Sequence, residues 1–280
     1  MNETAVRPGS AQALLDVLLD ASFELAQREP ILGPALRRLA GPAPSLAGWL
    51  ARLLGGRLAD ADINAARLTN LFLGQYRHAP QLLQLAVGDV AAILRRDPAS
   101  RGALDVVLHH KGFKALLAHR LAGSLWLDGR PDMARYLQEM AGRVFSVDIH
   151  PACQVGAEVM LDHVTGIVIG ETASIADGVS IMQNVTLGGT GKHAGERHPK
   201  IGTGVLIGAG AVLLGNITVG ARARIGAGSV VLRDIPAGAT AVGVPARIIP
   251  AAGMPAPDGV PPPAEDMEHA GRGRVRAPAP

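Results

Sequence analysis

Ile201-Gly202-Thr203-Gly204-Val205-Leu206-Ile207-Gly208-Ala209-Gly210-Ala211-Val212-Leu213-Leu214-Gly215-Asn216-Ile217-Thr218-Val219-Gly220-Ala221-Arg222-Ala223-Arg224-Ile225 is the stretch that decides the fold. An aliphatic anchor returns every sixth position, at Ile201, Ile207, Leu213, Val219 and Ile225. A helix repeats every ~3.6 residues and a half-buried strand every second residue, so neither explains this period. Short strands joined by tight turns do, with one inward-facing anchor per hexapeptide stacked on the anchor of the next coil. Glycine directly after the anchor, as at Gly202, Gly208, Gly220 and Gly226, is read as supplying the backbone angles of the corner that follows.

The same frame extends in both directions. It reaches Val231 on one side; on the other it runs through Leu187, Ile181, Ile175 and Ile169, then after two extra residues through Leu161, Val155 and Ile149. Three hexapeptides close one triangular coil of about eighteen residues, which predicts about four coils. One larger break interrupts the count between Leu187 and Ile201, where eight extra residues give Gly188-Gly189-Thr190-Gly191-Lys192-His193-Ala194-Gly195-Glu196-Arg197-His198-Pro199-Lys200. A regular solenoid has no structural use for so long and polar an excursion, so residues 188–200 are read as a functional loop.

Upstream of Val147 the pattern is different. Leucine and alanine recur at helical spacing from Ser10, a plausible N-cap, to a stop at Pro30. Similar patches follow at 46–54 (ended by Gly55-Gly56), 62–76, 80–94, 113–127 and 132–145, giving five or six helices packed on one another. The expected organisation is therefore an α-helical domain over 1–146, a parallel β-helix over 147–249 and a disordered Pro/Ala/Gly-rich tail over 250–280, an α+β chain.

Composition agrees with small side chains and many turns: the 280 residues include 35 glycines and only 3% aromatics. A formal charge of +3 with basic residues spread along the chain gives no reason to expect nucleic acid. No apolar run approaches the ~20 residues that span a bilayer, and Met1-Asn2-Glu3-Thr4 opens no secretory leader. Cys153 is the only cysteine and has no disulfide partner. The expectation is a cytoplasmic protein away from membranes.

Polar groups cluster where the coils begin: Asp148 and His150 around Ile149, Asp162-His163 after Leu161, and Glu171 after Ile169-Gly170. A carboxylate that holds one imidazole nitrogen leaves the other free to accept a proton, and Asp148 could reach His163 on a neighbouring coil or across a trimer interface. On these residues alone, structural polar groups at a subunit interface explain the cluster equally well. His150, His163, His193 and His198 also leave open a zinc site of three histidines.

Asp148-Ile149-His150-Pro151, Leu161-Asp162-His163-Val164-Thr165-Gly166, Ile169-Gly170-Glu171-Thr172, Val185 to Lys192, Arg197-His198-Pro199-Lys200-Ile201 and Gly243-Val244-Pro245-Ala246-Arg247 together resemble the serine acetyltransferase family. The resemblance runs from about Asp60 to Ile249 and takes in Asp97-Pro98-Ala99 and Lys111-Gly112-Phe113. It implies a left-handed β-helix, a homotrimer or a hexamer built as a dimer of trimers, and transfer of acetyl from acetyl-CoA to the hydroxyl of L-serine, the first step from serine to L-cysteine.

The family's roles, carried onto matching positions, make His163 the general base and Asp148 the residue that orients it. Asp97 and Asp162 would meet the serine ammonium, Arg197 and His198 its carboxylate, and Glu171 would support the site. Gly189, Ala209 and Ala227 would line the acetyl-CoA arm, while Arg224 and Arg247 are expected to meet its phosphates. Neither a metal nor a covalent intermediate on Cys153 is required. L-Cysteine, which presents the same ammonium and carboxylate, is the expected feedback inhibitor. The chain departs from the family at Lys114, where histidine is common, and at Arg224, where lysine is common. It ends Pro278-Ala279-Pro280 and lacks the terminal isoleucine that docks into O-acetylserine sulfhydrylase, which speaks against that complex.

Overall fold

The computed structural model describes residues 9–191 and 194–249, so the expectation for the 250–280 tail lies outside the described residues. From Val147 onward the chain winds as a parallel β-helix with three faces. The anchors stack in register: Ile149, Ile169, Leu187, Leu213 and Val231 on the first face; Val155, Ile175, Ile201, Val219 and Ile235 on the second; Leu161, Ile181, Ile207, Ile225 and Ala241 on the third. Nearly all are buried, and they form a continuous core.

Among the described residues five coils are present, where the six-residue count predicts about four. Val231 opens a fifth coil that leaves the strict period: Ile235 and Ala241 fill its other two faces. The antiparallel strand Ala246–Ile249 then folds back on Thr240–Gly243 and closes the third face.

The glycines after the anchors serve a different purpose from the one their position suggests. None has a positive φ; a Cβ on Gly208 would stand 2.6 Å from the backbone nitrogen of Ala227, so these glycines permit close approach between coils. The left-handed corner falls three residues after the anchor, as at Gly178 (φ +72) and Gly204 (φ +68).

Neither interruption of the count disturbs the ladders. Ile175 pairs with Ile201 across the eight extra residues. At the smaller break, Thr165 O accepts from Asn184 N as Gln183 O does from Gly210 N, which makes Thr165 equivalent to Gln183 and His163-Val164 the two extra residues.

Among the described residues, eight α-helices precede the β-helix: α1 (Ala11–Arg28), α2 (Gly33–Ala40), α3 (Leu46–Leu58), α4 (Ala65–His78), α5 (Gln81–Arg96), α6 (Ala103–His109), α7 (Lys111–Leu127) and α8 (Pro131–Phe145). Ser10 caps α1 as expected, its side chain accepting from Ala13 N. Gly55-Gly56 does not end α3, which runs on to Leu58. A Cβ on Gly55 would stand 2.9 Å from Ala65 O, so this glycine lets α3 lie directly on α4. No helix of the described residues is long and apolar enough to cross a membrane.

The helices are fastened to the first coil by a buried ion pair. Arg120 of α7 meets Asp89 of α5 through two hydrogen bonds of 3.0 Å and also donates to the carbonyls of Val155 and Gly156. The α7 N-terminus presses on the third face, where a Cβ on Gly112 would stand 1.9 Å from Leu161 O. Phe23 and Ile31 are both exposed.

Candidate active site

The candidate residues gather on two different edges of the prism. Where the third face turns into the first, His163 projects as part of the two-residue excursion, its side chain 75% exposed. His163 (φ 53) and Val164 (φ 59) are both left-handed, a conformation that costs a β-branched residue about 1–2 kcal/mol. Burial of the Val164 side chain holds that corner in place. Lys111, at the start of α7, donates to Thr165 Oγ1 at 2.6 Å and fixes the corner from outside. Asp162 is next to the imidazole, with Oδ1 3.9 Å from His163 Nε2.

Farther along this edge lie Gln183, Ala209 and Ala227, linked coil to coil by backbone hydrogen bonds from Gly210 to Gln183 and from Gly228 to Ala209. At ~4.8 Å per coil, Ala227 is roughly 14 Å from Thr165, a length suited to an extended thioester arm. Small residues at 209 and 227 leave the backbone open along it. Arg224 and Arg247 are exposed on the third face, on strands Arg224–Ile225 and Ala246–Ile249.

The other edge, where the first face turns into the second, carries His150, Glu171, Gly189 and the return of the inserted loop. Glu171 Oε2 lies 2.5 Å from a guanidinium nitrogen of Arg197. That hydrogen bond holds the Glu171 carboxyl below the usual carboxylate range. The same guanidinium donates to the carbonyls of Ala194 and Gly195. His198 is buried, and burial followed by the nearby Arg197 charge pushes its imidazole pKa down, which favours the neutral ring. Its ring lies over Gly170 and beside Gly189.

Asp148 stands on the first face, in register with Val168, and its Oδ1 accepts from Gln138 Nε2 at 2.6 Å. It occupies the same coil that His163 ends, not a neighbouring one, and within one chain the two make no hydrogen bond or ion pair. Asp97 follows α5, accepting from Ala99 N at 2.8 Å and Ser100 Oγ at 3.0 Å, with His110 Nε2 at 3.9 Å. His110 immediately precedes the α7 terminus that packs on Leu161, so Asp97 belongs to the His163 side of the molecule.

Comparison with known proteins decides the family. A family model described as "Serine acetyltransferase, N-terminal" matches residues 16–118, and one described as "Bacterial transferase hexapeptide (six repeats)" matches residues 198–233. A serine acetyltransferase of Haemophilus influenzae is 45% identical over 226 residues, covering 81% of this chain and 85% of the relative. The chain belongs to the serine acetyltransferase family.

Solved serine acetyltransferases superpose over most of the chain. The soybean serine acetyltransferase complexed with serine has a TM-score of 0.83 at 44% identity, covering 87% of this chain and 99% of that one. A serine acetyltransferase in complex with cysteine gives 0.84 at 43% identity, with 87% and 95% covered. A serine acetyltransferase in complex with CoA gives 0.82 at 42%, with 86% and 100% covered.

In this member of the serine acetyltransferase family, Asp97, Asp162, His163, Ala209 and Ala227 lie toward one edge, and Glu171, Arg197, His198 and Gly189 toward the other. His163 is thereby separated from His150 and His198, and among the described residues no three His, Cys, Asp or Glu side chains form a metal-binding group; His193 lies outside them. Burial pushes the Cys153 thiol up to about 12, which disfavours the thiolate. Sequence reasoning gave no role to Thr172 or Lys111. The signal for both was present in the quoted motifs: a hydroxyl directly after Glu171, and a lysine before a glycine that a helix start does not need.

Proposed function

We propose that acetyl transfer takes place between two copies of the chain, where the His163 edge of one meets the Arg197 edge of the next. The observation that supports this is the separation of the candidate base from the candidate carboxylate-binding groups onto different edges of one prism. The enzyme is a serine O-acetyltransferase. It moves acetyl from acetyl-CoA to the hydroxyl of L-serine and releases O-acetyl-L-serine and CoA, the first step from serine to L-cysteine.

The guanidinium of Arg197 and the His198 ring hold the serine carboxylate, while Asp97 and Asp162 of the neighbouring copy hold the ammonium. His163 takes the hydroxyl proton as the serine oxygen attacks the thioester carbonyl, and Asp148 of the adjoining copy stabilises the imidazolium. Collapse of the tetrahedral adduct breaks the carbon–sulfur bond, and the departing CoA thiolate recovers the proton from His163. No group on the enzyme is acylated and no step asks for a metal ion. Gly189, Ala209 and Ala227 admit the acetyl-CoA arm, with Arg224 and Arg247 toward its phosphates. Glu171 steadies Arg197.

The same groups fit L-cysteine, which would compete with serine as a feedback inhibitor. The exposed Phe23 and Ile31 suit an oligomerisation role for the helices, pairing trimers into a hexamer in the cytoplasm. A direct test is CoA thiol release on co-expression of His163→Ala with Arg197→Ala chains. Each variant alone should be nearly inactive with L-serine, and the mixture should recover a sizeable fraction of activity. Failure of the mixture, or release equal with L-homoserine, a sugar or no acceptor, would overturn the reading.

A further inference from the structure

Thr172 spends every polar atom it has on the returning loop. Its Oγ1 accepts from Arg197 N at 3.1 Å and from His198 N at 3.2 Å. Its carbonyl accepts from Lys200 Nζ. Its N–H donates to His198 Nδ1 at 3.2 Å, and Oγ1 lies 2.8 Å from the same nitrogen.

This arrangement fixes where the His198 proton must be. With two backbone N–H groups on Oγ1, both hydroxyl lone pairs are taken, and the hydroxyl hydrogen is left to donate. The acceptor within reach is His198 Nδ1, which already faces the Thr172 N–H. A protonated Nδ1 would oppose two donors, so the neutral ring carries its hydrogen on Nε2. Nε2 has no hydrogen-bond partner among the described residues and lies over Gly170, where a Cβ would stand 2.0 Å away.

The geometry assigns Thr172 as a positioning residue that locks His198 in the Nε2–H tautomer, so that a neutral, preset donor faces the carboxylate of the amino-acid acceptor. The assignment rests on the reading of His198 as a carboxylate contact. It goes beyond that reading by naming the group that gives His198 its donor. Valine at 172 would keep the shape and the backbone N–H but remove the hydroxyl, leaving the Arg197 and His198 amides without their acceptor and the ring with one restraint in place of two. Serine would restore the hydroxyl without the methyl.

The test is steady-state kinetics of the full chain carrying Thr172→Val, Thr172→Ser, His198→Ala and the Thr172→Val/His198→Ala pair. Thr172→Val should raise KM for L-serine roughly 10- to 100-fold, the range for a hydrogen bond to a charged group, with KM for acetyl-CoA changed less than about twofold. Thr172→Ser should remain within about threefold of the parent. In the His198→Ala background, Thr172→Val should add little, because its effect passes through a ring that is no longer there. Equal losses from Thr172→Val with and without His198 would overturn the tautomer assignment alone, as would a matching rise in KM for acetyl-CoA or no rescue by serine. A normal KM for L-serine in His198→Ala would instead overturn the carboxylate reading and the assignment with it.

Discussion

Gly170 lies directly beneath the His198 ring: a Cβ there would stand 2.0 Å from Nε2 and 2.1 Å from Cδ2. The imidazole is therefore seated on bare backbone, held from one side by Thr172 and supported from the other by Gly170. Gly170→Ala should dislodge the ring at a cost of about 1–3 kcal/mol in stability. KM for L-serine should rise by at least ~10-fold while acetyl-CoA binding is retained, which initial-rate kinetics and calorimetric titration with CoA would check.

His163 needs a substitution that respects its left-handed backbone. Asparagine enters that region more readily than other non-glycine residues, so His163→Asn removes the proposed base without distorting the corner. The acetyl-transfer rate should fall by at least ~100-fold, the low end for loss of a general base, with CoA affinity unchanged by titration. Near-normal turnover would exclude His163 as the base.

Lys114 gives a pH dependence. Its ammonium is buried in α7 and donates to Leu108 O, capping α6, and burial followed by the Arg57 charge pushes its pKa down to about 8 from 10.5. Below about pH 8 the lysine is charged in folded and unfolded chains alike, and the cost of burying it is fully present. As pH rises from about 8 toward 10.5 the folded chain loses the proton first, so the unfolded state binds more protons and stability increases. Lys114→Met should be more stable than the parent at pH 7, by on the order of 2 kcal/mol once the lost hydrogen bond is subtracted, and this advantage should shrink toward pH 10. Thermal unfolding of both proteins across that range would measure it.

The β-helix was legible because one anchor per hexapeptide is a signal repeated at every coil, and all thirteen anchors found in the sequence occupy the ladders. Helices were harder to read. α6 spans only seven residues, too few to display a period, and Pro34 in the first turn of α2 looks like a break although proline is well suited to that position. Gly55 and Gly208 read as turn residues because a sequence does not show what lies across from a missing side chain. The candidate site residues stand out by type and motif, but their division between two edges depends on which coil and corner each one occupies. Thr172 shows the limit most clearly: its partners are 25 to 28 positions away and meet it only because the loop returns to the coil it left.

The ladder between Ile175 and Ile201 closes as though the eight intervening extra residues did not exist. Arg197 and His198 are thus carried on an insertion that leaves the strand register untouched, while Ala209 and Ala227 belong to the repeating frame. On the proposed reading, a change confined to the loop would alter the contacts to the acceptor's carboxylate without rebuilding the edge that carries Ala209 and Ala227.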